Sequence, residues 1–217
     1  MSEIKPHFHP TPNNTTPESE GIQSIITTLH LQPHVEGGYF VETDRDPLLI
    51  PSPFPETPAS SASAGLLLPT PRPEFNPKLR NASTTIYYLI TPNSPQGNFH
   101  RNRARTIHTL HKGRGRYVLI HEDSSIEVFT VGHNIAAGEK LQWIVEGGKY
   151  KASYLLPDTP SGTESSEGLL ISETVVPGFE FVDHDFLNKE GLNRLVGEAK
   201  AHDLEWLVRE EPFQLDI

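Results

Sequence analysis

Residues Arg116–Gly132 read RYVLIHEDSSIEVFTVG. Two runs rich in β-branched and aromatic residues flank a polar Asp123-Ser124 step, a pattern that predicts a hairpin from Tyr117 to Val131 closed there. The texture is the same on both sides. STTIYYLIT from Ser83, RTIHTLHK from Arg105, LQWIVEGGKYKASYLL from Leu141 and GLLISETVVPGFEF from Gly168 are short, rich in Val, Ile, Tyr and Thr, and divided by turn residues. Short antiparallel strands at this spacing predict a mainly β domain, a sandwich or barrel with jelly-roll winding.

The flanks change period. Ile22, Ile25, Ile26 and Leu29 fall on one helical face behind a possible Ser19 cap. From Asp185 onward Leu192, Leu195 and Val196, then Leu204, Leu207 and Val208, repeat that spacing. Residues 1–18 hold four prolines and little apolar pattern, so they are expected to be a disordered tail. Nine prolines between Asp46 and Pro77 each remove a ladder donor, so about 46–80 is expected to be a surface excursion, with Leu66–Leu68 as its apolar anchor. The expected plan is one domain over 19–217: helix, β-core, helices.

Composition narrows the function classes. A net charge of −10 argues against nucleic acid or an anionic membrane as partner. The absence of Cys excludes disulfides, thiolate metal sites and Cys nucleophiles. The first twenty residues lack a secretory h-region, and no run nears the ~18 apolar residues of a membrane span, so the expected location is cytoplasmic, with the nucleus left open.

Two stretches carry candidate chemistry. LQPHVEGGYFVETDR, from Leu31, has a Gly37-Gly38 step suited to a sharp bend, with His34, Glu36 and Glu42 as acid–base groups around it. The other is GNFHRNRARTIHTLHKG, from Gly97. Alternation sends His100 to one side of its strand and Arg101, Arg103 and Arg105 to the other, where they read as a solvated face. Tyr87 and Tyr88 are adjacent, so only one can face inward.

These blocks, PHVEGGYFVET, TTIYYLIT, NFHRNR, VEGGKYKAS and VPGFEFVDHDF, come in the order of the cupin superfamily, and the chain resembles its small cupin-5 branch, in the pattern of the fungal-type members, from about Leu29 to Asp183. The resemblance implies a jelly-roll barrel with flanking helices and a homodimer. It also implies where a metal-binding cupin would place its ligands. Those positions are Asn98, His100 and Thr106 in the first motif, closed by Gly113, and Lys151 after Glu146-Gly147-Gly148 in the second. Only His100 is a usual metal ligand; Asn and Thr are weak donors and an ammonium repels a divalent ion. No metal and no other cofactor is therefore expected. His108 shares the parity of His100 if one strand runs through both, but an expected bend between them discounts it as a metal ligand.

The expectation is thus a small-molecule-binding cupin with a degenerate metal site, holding a polar or anionic ligand in its barrel. The alternative is a metal-independent isomerase or epimerase acting on a sugar-like or carbonyl compound. In either case His100, Tyr88 and Lys151 are the candidate catalytic groups. His34, Glu36, Glu42, Tyr87, Asn98 and His108 are the candidate ligand contacts.

Overall fold

The computed structural model describes residues 4–10, 17–56, 72 and 74–209. Two antiparallel sheets face each other. The first has six strands: β1 (Gln32–Pro33), β2 (Tyr39–Arg45), β5 (Thr84–Ile90), β12 (Leu169–Val176), β7 (Arg105–Lys112) and β10 (Gln142–Val145), in that spatial order. The second has five: β13 (His184–Phe186), β6 (Gln96–Asn102), β11 (Tyr150–Leu155), β8 (Gly115–Ile120) and β9 (Ile126–Val131). A separate pair, β3 (Leu49–Pro51) and β4 (Leu79–Asn81), closes the base of the Pro-rich excursion. This is the mainly β jelly roll expected, with the hairpin pairing Tyr117 with Phe129 and turning through Ser124 in the left-handed region.

Strand alternation sorts side chains into three packed regions. Between the sheets lie Tyr88, Leu110, Tyr117, Trp143, Leu155 and Ile171, which form the lumen's apolar part. On the outer face of the five-stranded sheet, Phe99, Val118, Ala152 and Tyr154 are covered by the C-terminal helices α2 (Lys189–Val196) and α3 (Glu198–Leu204) through Leu192, Val196 and Leu204. On the outer face of the six-stranded sheet, Leu89 and Leu170 are covered by Ile22 of α1 (Glu20–Thr28). Ser19 caps α1 by accepting from the Ile22 amide at 3.4 Å.

Three details depart from the sequence reading. Ile4 and Phe8 pack against two of the apolar clusters, so the described part of the expected disordered tail is docked. The segment at Asp185 is not yet helix: His184–Phe186 pairs with Asn102, Arg101 and His100 as an edge strand. Three residues are too few to show a period. The ends of the excursion are ordered by β3 and β4, while Leu66–Leu68 lies outside the described residues.

The edge strand also accounts for the arginines. Arg101 and Arg103 do face away from the lumen and bond Asp185 and Asp183 on and beside β13, while Arg101 stays partly exposed and Arg105 half exposed. Arg80 of β4 is 1% exposed and makes a two-pronged contact with Asp183, Nε to Oδ2 at 2.7 Å and Nη2 to Oδ1 at 3.1 Å. Asp183→Ala would strand the Arg80 guanidinium in the interior. It is expected to cost about 3–5 kcal/mol of folding free energy; a loss below about 1 kcal/mol in denaturant unfolding would show the pair to be dispensable.

Candidate functional site in the barrel lumen

Register puts the chemistry inside. On the five-stranded sheet Lys151 pairs directly with His100, and on the six-stranded sheet Glu173 pairs directly with His108. Each cross-strand pair points into the lumen, and the two pairs meet there. Lys151 Nζ donates to Glu173 Oε2 at 2.7 Å and to His108 Nε2 at 2.9 Å. An ammonium has no lone pair, so Nε2 of His108 must be the bare nitrogen of a neutral ring. That ring stacks on Trp143 with centroids 5.1 Å apart and planes 11° from parallel. The bend between His100 and His108 is real, since they lie on different sheets. Yet His108 enters the lumen because the second sheet faces back toward the first.

A second cluster surrounds Glu36. It sits in the turn between β1 and β2, where Gly37 and Gly38 take φ of +101° and +69°. A Cβ on Gly37 would land on the Gln96 carbonyl, and one on Gly38 on the Leu89 carbonyl, so only glycine lets this turn press onto the sheets. The turn brings Glu36 Oε2 to 3.3 Å from His100 Nε2, and Oε1 to 3.7 Å from His184 Nδ1. His100 Nδ1 lies 2.8 Å from the Asn98 carbonyl, which can only accept, so Nδ1 carries the hydrogen. In a neutral ring Nε2 is then a lone pair, and no other donor reaches it among the described residues. Two facing lone pairs repel. A proton on Glu36 turns that repulsion into a hydrogen bond.

The electrostatics agree. Burial raises the Glu36 carboxyl to about 8, with Lys151 opposing the rise and Glu173 adding to it. Burial alone would raise Glu173 as well, but the Lys151 ammonium overrules it and holds that carboxyl well below its usual range. Burial lowers His34 to about 4 and His184 to about 3, and pushes His100 and His108 down. Near neutrality the lumen holds one ion pair, neutral imidazoles and a protonated glutamic acid.

A cavity of 300 Å³ opens beside these groups. Its polar wall includes His34, Glu36, Asn102 and Glu173, and its apolar wall includes Phe40, Ile86, Val175, Phe179 and Phe181. Arg45 and Arg72 stand at its rim with Glu42 and Glu180. The other sequence candidates are placed as follows. Tyr88 faces inward and its hydroxyl donates to the Gly37 carbonyl at 2.9 Å; Gly97, lacking a side chain, leaves room for that hydroxyl. Tyr87 faces the other way, edge-on to His111. Asn98 turns its side-chain oxygen to the Gln96 amide and lines a separate groove of 580 Å³ beside Trp206. Glu173, His184, Asn102 and the rim arginines were missed. A carboxylate at the inward parity of GLLISETVV, between Ile171 and Val175, was the available signal for Glu173.

The residues do not fit a resident metal at the position metal-binding cupins use. Lys151 already sets a tethered cation between His108 and Glu173, and the Asn98 side chain is engaged elsewhere. Among the described residues no group of three or more His, Asp or Glu is arranged to hold a metal ion.

Two facing antiparallel sheets around a polar lumen, with helices at both ends, define a cupin. The family model described as Cupin superfamily (DUF985) matches residues 23–187, and the chain belongs to that family. It is 45% identical over 188 residues to the Saccharomyces cerevisiae protein YML079W, covering 86% of each chain. A hypothetical protein from Leishmania major superposes with a TM-score of 0.68 at 26% identity, over 87% of this chain and 98% of that one. Protein SO0799 from Shewanella oneidensis, at 22% identity and a TM-score of 0.65, covers 88% of this chain and 99% of its own, and shares the fold. No helix among the described residues is long and apolar enough to cross a membrane.

The opposed shifts predict a stability maximum. The four lowered imidazoles bind protons more readily unfolded, so their contribution is present above pH 6.5 and lost as pH falls through the folded values. Glu36 has the opposite sign: its contribution is full below 4.5 and lost as pH rises through about 8. Stability is therefore expected to peak near about pH 6.5 and then fall by up to about 1.4 kcal/mol per pH unit toward pH 8. Denaturant unfolding from pH 5 to 9 reads this, with Glu36→Gln flattening the alkaline limb. Stability that keeps climbing to pH 8 in the native chain would contradict the Glu36 assignment.

Proposed function

We propose that this chain is a small-molecule-binding cupin whose lumen holds a compact polar ligand without a resident metal. The observation that carries the reading is the 300 Å³ cavity in which Glu36, His34, Asn102 and Glu173 face aromatic and aliphatic walls. A few placed polar groups among apolar ones is the composition of a ligand pocket. The homodimer that the resemblance implies belongs to the same proposal; light scattering of the purified chain reads it. The test of binding is native mass spectrometry of gently purified protein, followed by thermal-shift screening against the extracted small molecules. One small molecule per chain, and a melting shift on adding it back, is the expected result. Stoichiometric transition metal, or no compound that shifts melting, would overturn the reading.

A second reading is favoured by the Glu36–His100 contact. A carboxyl near pKa 8 that lines the cavity, its hydrogen oriented by a neutral imidazole 3.3 Å away, suits proton transfer with a carbonyl-bearing ligand. Tyr88 and Lys151 are engaged with Gly37 and Glu173, so on this reading Glu36 is the group that exchanges a proton with the ligand, and His100 positions it. Incorporation of solvent deuterium into the recovered ligand, reduced at least about 100-fold in Glu36→Gln, is the expected outcome. A ligand recovered with all its carbon-bound hydrogens unexchanged would leave binding alone.

A further inference from the structure

Resting on the lumen as a ligand site, we infer that the ligand is an uncharged, hydroxylated or carbonyl-bearing molecule of about monosaccharide size, not a carboxylate, a phosphate or a nucleotide-linked sugar. The charge pairing around the cavity carries this. Lys151, the one ammonium in the lumen among the described residues, is held by Glu173 at 2.7 Å. Arg45 grips both Glu42 oxygens, at 2.9 and 2.7 Å, and reaches Glu180 at 3.1 Å. Arg72 bonds Glu180 at 2.5 Å and the Asn81 side chain at 3.4 Å. Each cation that an anionic ligand would need already holds a carboxylate.

The negative groups are as numerous. Glu42, Glu173 and Glu180 all line the cavity, so an entering anion would meet three carboxylates whose counter-charges are spent. Burying a charge without a free partner is costly, and a polar group with hydrogen-bonding partners is not. The groups left over suit hydroxyls and carbonyls. The second oxygen of protonated Glu36, whose hydrogen faces His100, accepts, the Asn102 amide nitrogen donates beside an oxygen that already meets His184 Nδ1 at 3.0 Å, and His34 contributes a ring N–H. The His34 assignment follows from its Nδ1, which accepts from the Glu36 amide at 3.3 Å and so leaves the hydrogen of a neutral ring on Nε2. Phe40, Phe179 and Phe181 offer flat apolar surface, which matches the C–H face of a sugar-like ring. At 300 Å³ the cavity is at the small end of ligand pockets, which run about 300–1,000 Å³, too small for a nucleotide sugar.

The experiment uses matched probes on the full chain: galactose with galacturonate, glucose with glucuronate, and glucose with glucose 6-phosphate, by thermal shift and calorimetry at pH 7. At least one neutral member is expected to bind, with its acidic counterpart at least about tenfold weaker. Glu180→Gln frees Arg72 from its carboxylate, leaves Arg45 on Glu42 alone, and is expected to move the preference toward the acid by about tenfold. Should that variant fail to fold, Glu42→Gln removes the two-pronged partner of Arg45 at the rim, leaving it on the carboxylate it shares with Arg72, and is read in the same way. Tighter binding of an acid or phosphate by the native chain overturns the inference, as does binding by none of the probes, or a preference unmoved in the folded variant. If the compound extracted with the protein is an anion, this inference fails while the lumen remains a ligand site. If no compound binds at all, both fail together.

Discussion

The contact between Lys151 and Glu173 governs the rest of the interior. It joins the two sheets across the lumen, one partner from each, and both are nearly inaccessible to water. An ammonium or a carboxylate alone at such depth would cost several kcal/mol; together, and with His108 taking a further ammonium hydrogen, they are satisfied. The pair also decides how neighbouring groups ionise. Burial keeps the proton on Glu36; Lys151 opposes this and the Glu173 carboxylate reinforces it. The ammonium, together with burial, discourages charge on His100, His108 and His184. A barrel that carries four histidine and two glutamate side chains around one lysine therefore stays close to electrically neutral inside.

Position follows from backbone constraints as much as from charge. The Gly37-Gly38 turn lets β1 and β2 approach the Gln96 and Leu89 carbonyls, and this sets Glu36 against His100. The Pro-rich excursion leaves and re-enters the body through β3 and β4, and Arg72 near its return contributes to the cavity rim. Asp183 and Asp185 hold the short β13 against β6, which in turn presents His184 and Asn102 to the lumen. These ion pairs outside the lumen thus support the arrangement of the polar groups within it.

Much of the fold could be read from the chain because it rests on local pattern. The alternation in Tyr117–Val131, the Ile22-to-Leu29 face and the Ser19 cap are set by near neighbours, and the five family blocks fix their order. The site was less legible. His100 was found because strand parity and the motif resemblance both point to it, and Lys151 through the resemblance alone. Glu173 and His184 were not, since their roles depend on which strand of one sheet faces which strand of the other. His108 shows the same limit: parity along a single strand said nothing about a residue arriving from the opposite sheet. Glu42 illustrates the converse, a carboxylate near the right turn that ends at the rim on Arg45.

An internal amine and carboxylate, Lys151 and Glu173, are the polar link between the two sheets. A double-mutant cycle of Lys151→Met and Glu173→Gln, read by denaturant unfolding at pH 7, addresses it directly. Each single change should cost about 3–5 kcal/mol, and the double change markedly less than the two together. Costs that simply add would mean the two groups act independently, and the account would be wrong.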